Sequence, residues 1–167
     1  MNESKWQEQK MINLDGLKIE EIKKILAENN IEIIDGNSDP EEIEIKNKYD
    51  DEKNFSIYIK ADAEHNSLRI YGMSPFLISR RKNNLSDNEK IEVVNMMNIG
   101  SSVIKYSVIA NSTLSFEYGI PLSGQISNEH LLHVIDFVLN EVAVLGGIFD
   151  QFLKIVRKLK KWVKNEP

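Results

Sequence analysis

Few residues in this chain have the type and spacing that chemistry demands. "EHLLHVID" sets His130 and His133 three apart, with Glu129 and Asp136 on neighbouring positions of the same helix. That is half of a divalent metal site. A metal wants three or four protein ligands, and the remaining histidine, His65, falls in a loop. A solvated polar face opposite the Leu131 stripe is the better reading. "SRRKNN" offers Arg80, Arg81 and Lys82 to a phosphate or an acidic peptide. Runs of three charges are commonplace, so an exposed soluble loop is preferred. The acidic runs "DPEEIE" and "YDDEK" lack the alternating oxygen ligands and central glycine of a calcium loop; solvated turns and strand edges account for them. There is no Gly-rich phosphate loop, nucleophile elbow or helix-borne HExxH. With no cysteine either, the residues supply no catalytic group, metal site or cofactor site. The expectation is a protein that is not an enzyme.

The sharpest signal is instead a surface. Between residues 149 and 164, Phe149, Phe152, Ile155, Val156, Leu159, Trp162 and Val163 lie along one broad side of a helix. Lys154, Arg157, Lys158, Lys160, Lys161 and Lys164 fill much of the rest. Phe149, Phe152, Val156, Leu159, Trp162 and Val163, with Lys158 and Lys161, are the candidate interaction residues. Three uses compete: completing the fold or a homodimer, docking a protein partner, or lying on an anionic lipid surface. Packing within the protein or its dimer is favoured, because the stripe continues in phase from a helix that must already be core.

Charge divides the chain in the same place. Residues 151–167 carry six basic residues against Glu166 alone, whereas the net charge of the chain is -5, so the first 150 residues carry a net ten negative charges. An acidic body argues against nucleic-acid binding, which needs a basic surface. The basic tail remains free to meet something acidic.

The elements that must position this surface follow from periodicity. Ile22, Ile25 and Leu26 predict a first helix near 17–30, stopped by Asn29-Asn30. "IEII" predicts a short strand closed by the turn-rich "DGNSDP". Alternation at Ile43 and Ile45, at Phe55, Ile57 and Ile59, and at Leu68 and Ile70 predicts antiparallel strands with one wet face. An exposed connection follows Pro75. Ser86 with Glu89 matches a reciprocal cap and opens a second helix over about 86–98. "VIKYSVIA" and "TLSFEYGIPL" predict a hairpin turning at "NS", closed by Pro121 and Gly124. Ser127 caps the last helix. From Leu131 its apolar positions recur at Ile135, Val138, Val142, Leu145, Phe149, Phe152, Val156, Leu159 and Val163 in alternating steps of four and three. Two independent helices have no reason to keep phase, so a continuous or kinked helix through Gly146 and Gly147 is favoured. The rival makes Gly146 a left-handed cap and starts a new helix after it. An unbroken helix would be ~55 Å long, so its far end must overhang, bend back or pack on a partner.

Composition agrees with one core: 167 residues, 41% hydrophobic and 28% charged, are ordinary for a globular domain. The absence of cysteine fits a reducing compartment, and the first sixteen residues lack the apolar run of an export signal. The expected compartment is the cytoplasm. No uncharged stretch near the C-terminus approaches the ~20 residues that span a bilayer. The expected organisation is a flexible lead-in over 1–13, a domain over 14–145 and a basic amphipathic helical extension over 146–167.

The order helix, three strands, helix, hairpin, helix resembles the YbjN-like family, whose fold looks like that of the type III secretion chaperones. The likeness is carried by "KIEVVNMMNIGSSVIKYSVIANSTLSFEYGIPLSGQISNEHLLHVIDFVLNEV": a helix ending in "NMMN" at Asn95 to Asn98, a strand pair whose second member closes on Tyr118 to Leu122, and "ISNEHL" opening the last helix. The resemblance covers about residues 14–145. It implies an α+β fold, α-β-β-β-α-β-β-α, with an antiparallel sheet of about five strands flanked by helices and, here, an extended C-terminal helix. The family is described as sensory transduction regulators without an established chemistry. Likeness to secretion chaperones implies homodimers and the binding of extended partner segments. The expected function is therefore a chaperone-like or adaptor-like module that binds partner proteins. The alternatives are a small-ligand-sensing regulatory domain and a peripheral membrane binder acting through the basic helix.

Overall fold

The computed structural model describes residues 10–34, 39–49, 55–62, 64–74, 85–101, 103–109 and 113–164, without the side chains of Val163 and Lys164. The elements are β1 (Met11–Asn13), α1 (Ile19–Glu28), β2 (Ile33–Ile34), β3 (Glu42–Ile45), β4 (Ser56–Asp62), β5 (Ser67–Ser74), α2 (Asp87–Gly100), β6 (Lys105–Ile109), β7 (Thr113–Pro121), β8 (Gln125–Ser127), α3 (Asn128–Ala143) and α4 (Leu145–Lys164). Arg80, Arg81 and Lys82 and the Asn111-Ser112 turn lie outside the described residues.

Six strands form one antiparallel sheet in the order β2-β3-β4-β5-β7-β6. The sixth strand is the short "IEII" one, which periodicity predicts and the five-strand order implied by the resemblance leaves out; it joins the edge beside β3. Alternation sends Ile43, Ile45, Ile57, Ile59, Leu68, Ile70, Leu114 and Phe116 into a single core. Gly72, on the same side of β5, pairs between Ile57 and Phe116. A Cβ there would stand 2.5 Å from the Ser56 carbonyl oxygen and closer still to the Phe116 ring. Only glycine lets that ring, edge-on to Phe55 at 5.7 Å, lie across the strand.

The helices bury their stripes against this core. α1 contributes Ile22 and Leu26, α2 contributes Val93 and Met97, and α3 contributes Leu131, Ile135, Val138, Leu139 and Val142. Each predicted cap is in place. The Ser86 hydroxyl accepts from the Glu89 amide while the Glu89 carboxylate accepts from the Ser86 amide at 3.0 Å, and the Ser127 hydroxyl accepts from the His130 amide at 3.1 Å. The buried Asn47 side chain donates to the Leu139 carbonyl at 3.0 Å, fastening the segment after β3 to the back of α3.

Two expectations are corrected. Residues 11–13, read as the end of a loose lead-in, form β1 and pair antiparallel with β8, Ile12 opposite Ile126; burial of Ile12 and Leu14 holds the segment down. Of the forms expected for the long helix, the kinked one is found and the continuous one is not, and Gly146 does not cap it. It breaks two residues earlier, at Val144, which is right-handed at φ -90° and ψ -3°. Helical bonding resumes at once, the Ile148 amide donating to the Val144 carbonyl at 3.1 Å, and both glycines fall in the first turn of α4. The axes of α3 and α4 bend by 50°. Glycine pairs tolerate such a bend, and it folds the arm back onto α2 instead of leaving it to overhang.

Candidate interaction surface

α4 is divided lengthwise. Leu145, Phe149, Leu153 and Val156 are buried and belong to the core. Ile148 and Phe152 are half-buried at its margin. Ile155, Leu159 and Trp162 are exposed by 43%, 56% and 70%. The candidate residues therefore split: Phe149 and Val156 complete the fold, Phe152 lies between, and Leu159 and Trp162 face outward. The side chain of Val163 lies outside the described residues. Leu153, absent from the predicted stripe, takes the core place that heptad counting assigns to Phe152.

Two ion pairs tie the helix to α2. Arg157 donates to Glu89 at 3.1 Å and Lys160 lies 2.9 Å from Glu92. The Ser86 amide and then Arg157 hold the Glu89 carboxyl below its ordinary range. Lys154, Lys158 and Lys161 are exposed on another flank. Where the end of α2, β6 and the start of α4 converge, Met97, Gly100, Tyr106, Leu145, Ile148 and Phe152 line a cavity of about 220 Å³. Burial, reinforced by the nearby Glu141 charge, pushes the Tyr106 hydroxyl up to about 12, so it is neutral at physiological pH. On α2, Ile91, Asn95 and Ile99 share the exposed side, Ile99 by 86%. Asn98 closes the nearby sheet edge: its amide donates to the Tyr106 carbonyl and its oxygen accepts from the Tyr106 amide, at 2.9 and 2.8 Å.

The outer face of the sheet is a second surface. The register lines up Glu44, Tyr58, Tyr71, Glu117 and Lys105 across five strands. Tyr58 and Tyr71 stack at 5.5 Å, and Arg69 lies over the Tyr71 ring while gripping Glu117 at 2.7 and 2.9 Å. Arg69 also reaches Asp62 at 3.2 Å, which accepts from the His65 amide at 3.0 Å and meets its ring nitrogen at 2.9 Å. The helical polar cluster is similarly occupied: Asp136 pairs with Lys48 at 2.6 Å and accepts from the Tyr49 hydroxyl at 2.9 Å, while His130 and His133 are exposed. Among the described residues no three histidine or acidic side chains converge on a metal position, and no single helix is long and apolar enough to cross a membrane.

No family model matches the chain, and no curated protein matches it. The solved structure of YbjN from E. coli, described as a candidate transcription regulator, is similar over 80% of this chain and 89% of its own, at 8% identity and a TM-score of 0.54. The fold is YbjN-like. A chain of the HopA1-SchA chaperone-effector complex also matches, covering 72% of this chain and 84% of that one at 10% identity and a TM-score of 0.45. The YbjN-like fold accounts for the helix-backed antiparallel sheet.

Proposed function

We propose that the chain is a non-enzymatic, chaperone-like or adaptor-like protein-interaction module of the cytoplasm, working as a homodimer that binds segments of partner proteins. The observation that carries the reading is the lengthwise division of α4: one side is core, yet Ile155, Leu159 and Trp162 remain in water. Exposed tryptophan and leucine on a helix that the fold already holds rigid are the makings of an interface anchor. In this reading residues 11–145 with the buried side of α4 form the body, the exposed side of the basic arm over 146–167 presents the contact, and the Tyr58–Tyr71 face of the sheet offers a second one. A chain without cysteine suits a reducing compartment. Light scattering and crosslinking of the wild type and of Trp162→Asp test this. The expected result is a wild-type dimer and a folded variant that stays dimeric but loses its crosslinks to partner protein. A wild type that is strictly monomeric at tens of micromolar removes the dimer, and a variant that keeps every contact removes α4 from the surface.

A second reading, small-ligand sensing, is favoured by one feature. An open cleft of about 470 Å³ lies where Gly16, Leu17 and Ile19 face Pro40, Ala61 and Leu122, a size suited to a small molecule. A thermal-shift screen discriminates: a compound that raises Tm and loses its effect on Ala61→Trp supports sensing.

A further inference from the structure

The exposed strip of α4 has a chemistry that selects its occupant. Ile148, Phe152, Ile155, Leu159 and Trp162 recur at steps of four and three, so they form one ridge beside the buried face. Lys154, Lys158 and Lys161 border that ridge, and no ion pair to any of them occurs among the described residues; the cations toward α2, Arg157 and Lys160, already hold Glu89 and Glu92. At the ridge's inner end stands an open cavity of about 220 Å³ walled by Met97, Leu145 and Phe152 together with the polar Ser101, Glu141 and Gln151, with room for one bulky side chain laid against the apolar wall.

We infer that this strip binds an acidic amphipathic helix of a partner protein, one apolar residue filling the cavity, the next ones packing along Ile155, Leu159 and Trp162, and a carboxylate flank meeting Lys154, Lys158 and Lys161. The inference rests on the reading of the chain as a protein-binding module and specifies its partner. Two other occupants fit less well. An antiparallel pair of α4 helices from two copies brings the three flank lysines of each helix together with a single acid, Asp150, on each to offset them. An anionic membrane is extended, so it also meets the field of a body carrying ten net negative charges. A helical segment samples only charges within a Debye length of ~8 Å, where the lysines dominate. A partner helix also matches a single ridge with a hole at one end better than a plane does.

The test uses the full chain with Trp6→Phe, which leaves Trp162 as the one tryptophan of the two in the sequence. Its emission is followed against three probes: a short helical peptide with leucine at helical spacing and glutamate on one flank, the same peptide with lysine for glutamate, and vesicles of phosphatidylserine and phosphatidylcholine. The expected result is a saturable blue shift with the glutamate peptide, about tenfold tighter than with the lysine peptide, and a reversed preference in K154E/K158E/K161E. Equal binding of both peptides overturns the acidic partner while leaving a protein-docking surface. A blue shift that grows with protein concentration alone shows a second copy on the strip; it overturns the inference and leaves the dimer standing. Binding to vesicles alone, or to nothing, overturns both the inference and the adaptor reading.

Discussion

Asp62 shows how much a single side chain can organise. It is nearly buried, and the His65 amide first, then the His65 ring and Arg69, hold its carboxyl down to about 2 from the ordinary 3.8. A depressed folded value means that the stabilisation is complete above about pH 4 and is lost as pH falls through about 2. Asp62→Asn should therefore be less stable than wild type at neutral pH, and the gap should close between pH 4 and pH 2 in urea titrations. Gly72 makes the opposite kind of demand, for absence of a side chain. Gly72→Ala forces a methyl group against Phe116 and the Ser56 carbonyl and should cost about 1–3 kcal/mol, read as a lower denaturation midpoint with an unchanged slope. Neither role is legible in the sequence. An aspartate before a turn and a glycine in an alternating strand are ordinary until the register places Arg69 and Phe116 beside them.

At the scale of elements, the two sides of α4 should separate cleanly. Phe149→Ala opens a cavity in the core and should cost about 3–5 kcal/mol. Leu159→Ala removes an exposed side chain and should stay within about 0.5 kcal/mol. Chemical denaturation of the two variants decides between an arm that is core on one side and an arm that merely rests on the body. Strands, hairpin and helix caps were readable because each leaves a local mark: alternation at Ile57 and Ile59, serine before a helix at Ser86 and Ser127. The break at Val144 leaves none at its own residue, and the Gly146-Gly147 pair marks only its neighbourhood. Valine is no helix terminator, and the bend is set by where α2 offers Gly100, Glu89 and Glu92 for α4 to pack against. Nor was Leu153 visible as core: the break and bend at Val144 re-aim the helix, so a count carried through from Leu131 no longer marks the buried side, which falls on Leu145, Phe149, Leu153 and Val156 and leaves Phe152 at the margin. The exposed ridge was legible as residues, but not as exposed, because sequence cannot say which half of a broad apolar arc finds a neighbour first.

For the whole molecule, an acidic body and a basic arm are joined mainly by apolar burial. The Arg157–Glu89 and Lys160–Glu92 pairs are partly in solvent, worth about 1 kcal/mol or less each. Amide exchange should accordingly leave residues 149–157 protected to a degree similar to α2, and raising salt to 1 M should change that protection little; free opening of α4 beside a protected body would refute the docked arm. The β1–β8 ribbon carries a different implication, one about time. Its two halves lie more than a hundred residues apart in the chain, so a growing polypeptide holds Met11–Asn13 idle until nearly the entire sheet has emerged from the ribosome. Only then can Ser127, the residue that caps α3, be stapled beside Met11. The ribbon is thus a closing stitch, drawn after the rest of the fabric is in place, and cutting it by Ile12→Pro should leave the sheet able to assemble while slowing or fraying the seating of α3 at its first turn.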